Sequence, residues 1–466
     1  MLFSSIPFLY YFLPAVLLLY YISPRILKNT VLLLSSLVFY AWGEPKYVFL
    51  MIATIGINYI LGILIEKFRG NFLSKFFVIL SVVSALCSLG YFKYANFFIE
   101  NFSRITGISV NALNIALPIG ISFYTFQILS YTVDVYRGSV MAQKNPINLG
   151  AYIALFPQLI AGPIVRYSDV EKQLRHRTHT FEKATQGIRI FIIGLSKKII
   201  LANTLGEMCK VFLSSNDKSV AFYWLYAIGY MLQVYFDFSG YSDMAVGLGK
   251  ILGFDFMENF RYPFISRSIT EFWRRWHISL GTWFRDYVYI PMGGSRVGKL
   301  RLFLNIFTVW FLTGFWHGAE WNFIIWGLYF AVFLTFEKYF LSGVLKKSRI
   351  ISHIYVLFIV GISFVIFSAT GLADAISKVG GLFGAGTIPF VSQSLIFNLK
   401  NYGFVIIISI IAATPLFRNI KERLCRNEKT LMFIEYMEIP ALLILLTVST
   451  AYLADGSFNP FLYFRF

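Results

Sequence analysis

The chain is 466 residues long, 57% hydrophobic and only 14% charged, with a mean hydropathy of +0.66. Such a composition excludes an ordinary soluble domain. The formal net charge of +18 fits basic cytoplasmic loops in so apolar a chain, and no nucleic-acid partner is expected.

Apolar stretches recur from end to end, at 6–22, 30–42, 47–65, 76–92, 115–133, 186–206, 220–238, 303–316, 321–341, 351–369, 401–417 and 433–453. Several fall short of the ~20 residues that a crossing needs, so about 10 to 12 crossings are predicted. The first stretch has no charged residue before it and no small-residue cleavage site, and reads as an uncleaved span. The predicted fold class is all-α: a polytopic membrane helical bundle, in one integral membrane domain over 1–466.

Loop charges orient it. The stretches 66–75, 165–183 and 418–429 are rich in Lys and Arg, and 258–302 holds eight basic residues against three acidic ones; these are assigned to the cytoplasm. The stretches 95–114, 214–219 and 371–400 carry few charges and are assigned outside. Between two basic flanks, NLGAYIALFPQLIAGP (148–163) is broken by Pro157, Gly162 and Pro163. A re-entrant hairpin, buried in protein or lining a cavity, accounts for both facts. The last span starts from the cytoplasmic stretch 418–429, so an aromatic tail, 455–466, is predicted to emerge outside.

Ionisable groups near membrane depth are candidates for function. His317 sits in FLTGFWHGAEWNFIIWG, between two apolar segments, with Trp316 and Asn322 beside it as candidate substrate-binding residues. The plainer alternative is a hydrogen-bonded structural histidine. His277 lies in SITEFWRRWHISLGTWFRDYVYIPMGG, where Trp273, Trp276, Leu280, Trp283 and Phe284 recur at helical spacing among Arg274, Arg275 and Arg285. That pattern predicts an amphipathic interfacial helix, serving either as an anchor or as a basic mouth for an anionic substrate. The helix start at Ser268 to Glu271 would suit phosphates. His176 and His179 share an i, i+3 spacing without a third ligand, and read as a solvated loop; no metal site is expected. His353 reads as interfacial. Asp134, Asp237 and Asp243 read as structural carboxylates, capping helices or paired with arginines. Cys87, Cys209 and Cys425 are far apart and suggest neither disulfide nor thiolate site. Motifs of nucleotide-driven, zinc-protease and α/β-hydrolase chemistry are absent.

Five stretches, PIGISFYTFQ (118–127), FPQLIAGPI (156–164), YFDFSGYSDMAVGLG (235–249), NFRYPFISRSITEFWRRWHISLGTWFRDYVYIPMGGSR (259–296) and GFWHGAEWNFIIWG (314–327), together resemble the membrane-bound O-acyltransferases. The likeness is to the bacterial branch that O-acetylates alginate and peptidoglycan, with D-alanyl transfer to teichoic acids more distant. It covers essentially the whole chain, with the family's core over about 110–350.

The resemblance implies a central tunnel and places the family's near-invariant histidine at His317 and its second at His277. It implies acetyl-CoA as the cytoplasmic acyl donor, with no bound cofactor, and export of the acyl group across a bacterial cytoplasmic membrane to an extracytoplasmic polysaccharide, usually through an SGNH-type partner enzyme. His317 is then the expected base, with His277, Arg274, Arg275 and Arg285 shaping the entrance for the CoA phosphates. In the D-alanyl transfer relatives a small partner protein ends in an aromatic motif like FLYFRF (461–466), with an acyl-bearing tyrosine. The same role is expected for Tyr463, against the alternative of an aromatic anchor. Two other activities stay open at this level: D-alanyl transfer to teichoic acid, and a transporter or flippase without chemistry.

Overall fold

A computed structural model describes residues 2–456 and 458–460; Tyr463 and the rest of FLYFRF lie outside the described residues. The described chain is mostly helical and has no strand among the described residues. It forms two compact units: residues 1–191 with 244–257, and residues 192–243 with 258–466.

Among the described residues seven helices are long and apolar enough to cross a membrane: Arg25–Gly43, Tyr47–Lys67, Phe72–Thr106, Trp321–Leu341, Arg349–Phe367, Gln393–Ala412 and Glu428–Ala454. Phe8–Ile22 is apolar but shorter. The other expected stretches are helical too, within 181–214, Val220–Ile251 and Lys299–His317, except that 115–133 becomes helical only from Ile121. Their hydropathy is lowered by polar groups turned inward, such as Gln127, Lys198, Asp237 and Asn305, all buried. The chain is therefore an all-α, multi-pass membrane protein.

In the first unit the broken segment becomes two short helices, Pro146–Ala154 and Phe156–Leu159, with every residue from 149 to 165 buried. Asn145 caps the first through the amides of Ile147 and Asn148. At the break, the Phe156 amide donates to Ser36 Oγ at 3.1 Å, and Gln158 Nε2 to the Tyr152 carbonyl at 2.7 Å. Buried irregular backbone is thus satisfied by side chains, as a water-free surrounding demands. In the same unit His179 Nε2 lies 2.8 Å from the Tyr20 hydroxyl, which also receives Arg177 Nε at 2.7 Å. No cluster of metal-ligating side chains occurs among the described residues.

In the second unit the stretch expected as one interfacial helix is two seven-residue helices, Ile269–Arg275 and Ile278–Phe284. Trp276, Leu280, Trp283 and Phe284 are buried, not spread on a membrane surface. The reason is aromatic packing. Trp276 stacks on Phe272 at 5.6 Å and meets Phe260 and Phe364 edge-on, while Trp273 packs on Trp310 and Phe330. Buried rings gain by area removed from water and by edge-to-face and stacked contact with one another.

Candidate active site

Both candidate histidines fall in the second unit. The Lys299–His317 helix ends at His317, and the chain returns as Trp321–Phe336. The two helices touch backbone to backbone through glycines. A Cβ at Gly314 would lie 2.3 Å from the Phe323 carbonyl oxygen, and one at Gly327 2.2 Å from that of Trp310. We expect Gly327→Ala to cost about 1–3 kcal/mol by forcing the pair apart, measured as a lower thermal midpoint in detergent. An unchanged midpoint would show that the hairpin yields freely.

This approach seats His317 in a ring-lined pocket, 5% exposed. Its ring centroid is 4.9 Å from Trp316, 5.0 Å from Trp326 and 5.4 Å from Phe367, each nearly edge-on. Asn322 supports the wall: its Nδ2 donates to the Ala369 carbonyl at 2.9 Å, tying the returning helix to the residues just after Phe367. Trp316 stands between the histidines, 6.2 Å from the His277 ring.

His277 joins the two short helices in the left-handed conformation, φ 45° and ψ 54°. A side chain held there costs on the order of 1–2 kcal/mol, so something must hold it. Asn259 does. Its carbonyl oxygen accepts from the Ile278 amide at 3.0 Å. Its Oδ1 accepts from the Ser279 amide at 3.2 Å and the Ser279 hydroxyl at 2.9 Å. A backbone N–H must donate, so this atom is the amide oxygen. His277 Nδ1, 3.2 Å from the same oxygen, is then the protonated nitrogen. Nε2 keeps its lone pair, makes no hydrogen bond among the described residues, and belongs to a ring that lines a cavity. Burial, then the neighbouring His317, holds this imidazole's pKa well below its ordinary value, so it is neutral.

That cavity, about 580 Å³, is lined by His277, Arg274, Arg285, Trp273 and Thr313 among others. It shares Thr270, Arg274, Tyr289, Val309, Trp310 and Leu334 with a second, about 750 Å³, lined also by Arg267, Lys338, Lys346 and Arg349. Together they make one groove, basic in one half and largely aromatic and aliphatic where it reaches His277. A third cavity of about 630 Å³ shares no lining residue with either. Its wall includes Glu320, Phe323, Tyr226, Tyr230 and Phe367, the ring that packs on His317. The imidazoles therefore sit between two separate cavities.

Of the residues expected at the entrance, Arg274 lines both halves of the groove. Arg285 lines the His277 half with its guanidinium on Asp286 at 2.7 Å. Arg275 faces neither half; it binds Glu271 at 2.8 Å and the Arg261 carbonyl. The helix start offered to phosphates is already occupied. The Glu337 carboxylate accepts from the amides of Ile269 and Thr270, and Ser268 Oγ from that of Glu271. Asp237 and Asp243 pair with Lys198 and Lys197, not with arginines. Missed in the sequence were Asn259, which no spacing relates to His277, and Lys338, Lys346 and Arg349, which stand in an unremarkable basic stretch.

A sequence model of the membrane-bound O-acyltransferase family matches residues 139–373, which include both histidines. A probable alginate O-acetylase of Azotobacter vinelandii is 40% identical over the full length of both chains. The chain belongs to the membrane-bound O-acyltransferase family. Its relatives also include a probable alginate O-acetylase of Pseudomonas aeruginosa, 44% identical over 83% of this chain and 76% of that one. A peptidoglycan O-acetyltransferase of Helicobacter pylori is 30% identical over 100% and 98%. A teichoic acid D-alanyltransferase of Bacillus subtilis is 34% identical over only 49% of this chain and 60% of its own. The protein is an O-acyltransferase, and the reading as a transporter without chemistry is set aside.

Proposed function

We propose that this O-acyltransferase takes an acetyl group from cytoplasmic acetyl-CoA and passes it across the bacterial cytoplasmic membrane for O-acetylation of an extracytoplasmic polysaccharide, alginate-like or peptidoglycan. The observation that carries this reading is a buried histidine pair between a basic groove and a second, separate cavity. Arg267, Arg274, Lys338, Lys346 and Arg349 suit the phosphates of CoA. The aromatic half of the groove suits the pantetheine arm and brings a thioester toward His277. Relatives similar over the full chain O-acetylate, whereas the D-alanylating ones match half of it, which favours acetyl over D-alanine.

The chemistry is one acyl transfer. A hydroxyl oxygen attacks the thioester carbonyl while an imidazole, His317 in this reading, takes the hydroxyl proton. The C–S bond breaks, and the departing thiolate receives that proton, leaving free CoA thiol and an ester. The indole N–H groups of Trp273 and Trp326, buried and without hydrogen bonds among the described residues, are donors for the oxyanion. We assign the attacking hydroxyl to Tyr463, whose phenol, with an ordinary pKa near 10, needs such a base. An SGNH-type partner then moves the acetyl group to the glycan.

Purified protein incubated with radiolabelled acetyl-CoA should retain acid-stable, base-labile label, and Tyr463→Phe should abolish it while keeping the anchoring rings. Full acetylation of the external glycan by Tyr463→Phe would eliminate the tyrosyl step.

A further inference from the structure

The segment that follows the Glu428–Ala454 helix is held by a built polar site on another element. Lys198, 1% exposed, pairs with Asp237, itself 2% exposed, at 2.5 Å. Its ammonium also donates to Asn203 Oδ1 at 2.9 Å and to the carbonyl oxygen of Pro460. Asn203 and Pro460 accept hydrogen bonds from the ammonium, and the Asp237 carboxylate beside it supplies the counter-charge. Asn203 Nδ2 in turn donates to Asn459 Oδ1 at 3.2 Å. One turn further on, Gly206 leaves room for the Phe458 ring, which a Cβ would approach to 3.0 Å, and Lys210 Nζ stands 5.5 Å from that ring's centre. A π-helical turn over Lys197–Ala202 sets this register. Its extra residue brings Lys198 and Asn203, five apart, onto the face that carries Gly206 and Lys210. Gly240 makes the ion pair reachable, since a Cβ there would lie 2.6 Å from the Gly194 carbonyl oxygen.

An ion pair buried for stability alone is a poor device, because apolar residues of the same volume often serve as well. Here one of the hydrogen bonds of its ammonium goes to the tail. Withdrawing residues 458–460 would leave one N–H of a buried ammonium unmet. Phe458 and Pro460 also line the 630 Å³ cavity, together with Phe367 and Glu320.

We propose that Lys198, Asp237 and Asn203 form a dock that holds residues 458–460 in the wall of this cavity, making them positioning residues for the acyl hand-over. The role in hand-over rests on the tyrosyl reading above; the docking does not. The test uses the full-length chain with its three cysteines replaced by alanine and new ones at Lys210→Cys and Phe458→Cys, treated with a short bismaleimide. Cross-linking should be efficient in this background. It should fall about tenfold in Lys198→Met/Asp237→Leu, a charge-free pair, as expected for losing a hydrogen bond to a charged group. Should that pair fail to fold, Asn203→Leu alone must lower the yield. Undiminished cross-linking in a folded variant overturns the dock. If cross-linking falls, acetyl transfer to the glycan should fall with it at unchanged KM for acetyl-CoA. Unchanged transfer would leave the dock standing and remove the tyrosyl reading.

Discussion

His317→Ala is expected to lower acyl transfer by about 10²- to 10⁴-fold, the usual worth of a general base. The residue lines neither half of the donor groove, so its loss should leave donor binding intact. It stands at the C-terminal end of its helix, where the backbone dipole favours the positive charge that develops as the ring takes a proton. Truncation also opens a void among Trp316, Trp326 and Phe367. His317→Gln, which refills most of it, separates packing from chemistry. We expect His317→Gln to fold like the parent, bind acetyl-CoA with unchanged affinity and remain inactive. An active His317→Gln would remove the base from His317.

Asn259→Ala is expected to lower the rate by about 10²-fold, with little change in KM for acetyl-CoA. Three donors converge on Asn259 Oδ1, and that convergence holds His277 in a left-handed backbone with its proton on Nδ1. Without it the ring is free to change tautomer and the strained turn to relax, a loss of orientation of the kind worth orders of magnitude in rate. Asn259→Asp keeps the acceptor but adds a buried negative charge beside the imidazole. That charge favours imidazolium, so the acidic limb of the pH–rate profile should move to higher pH. A merely structural Asn259 would leave the profile of Asn259→Asp where it was. The rates and profiles are measured on purified protein in lipid nanodiscs.

Much of the site was legible in residues close together in sequence. FLTGFWHGAEW marked His317 by its place between two apolar segments, whereas the Trp and Arg spacing around His277 suggested one interfacial helix where the chain forms two buried short ones. Local pairs explain the departures: Arg275 is neutralised by Glu271 at i,i+4 and Arg285 by its neighbour Asp286, which thins the basic mouth expected from them. The charges that replace them, Lys338, Lys346 and Arg349, come from the far side of the His317 hairpin.

By itself the sequence determined that this chain lives in a membrane, that it is helical, and which family it belongs to, because hydropathy and motif are properties of neighbouring residues. Only the tertiary structure decided what each polar group is used for. Asn259 meets His277 across 18 positions, Glu337 takes the helix start at Ile269 across 68, and Lys198 meets Pro460 across 262. Where no water competes, a polar side chain must find its partner within the protein. That partner is set by which helices pack together, not by distance along the chain.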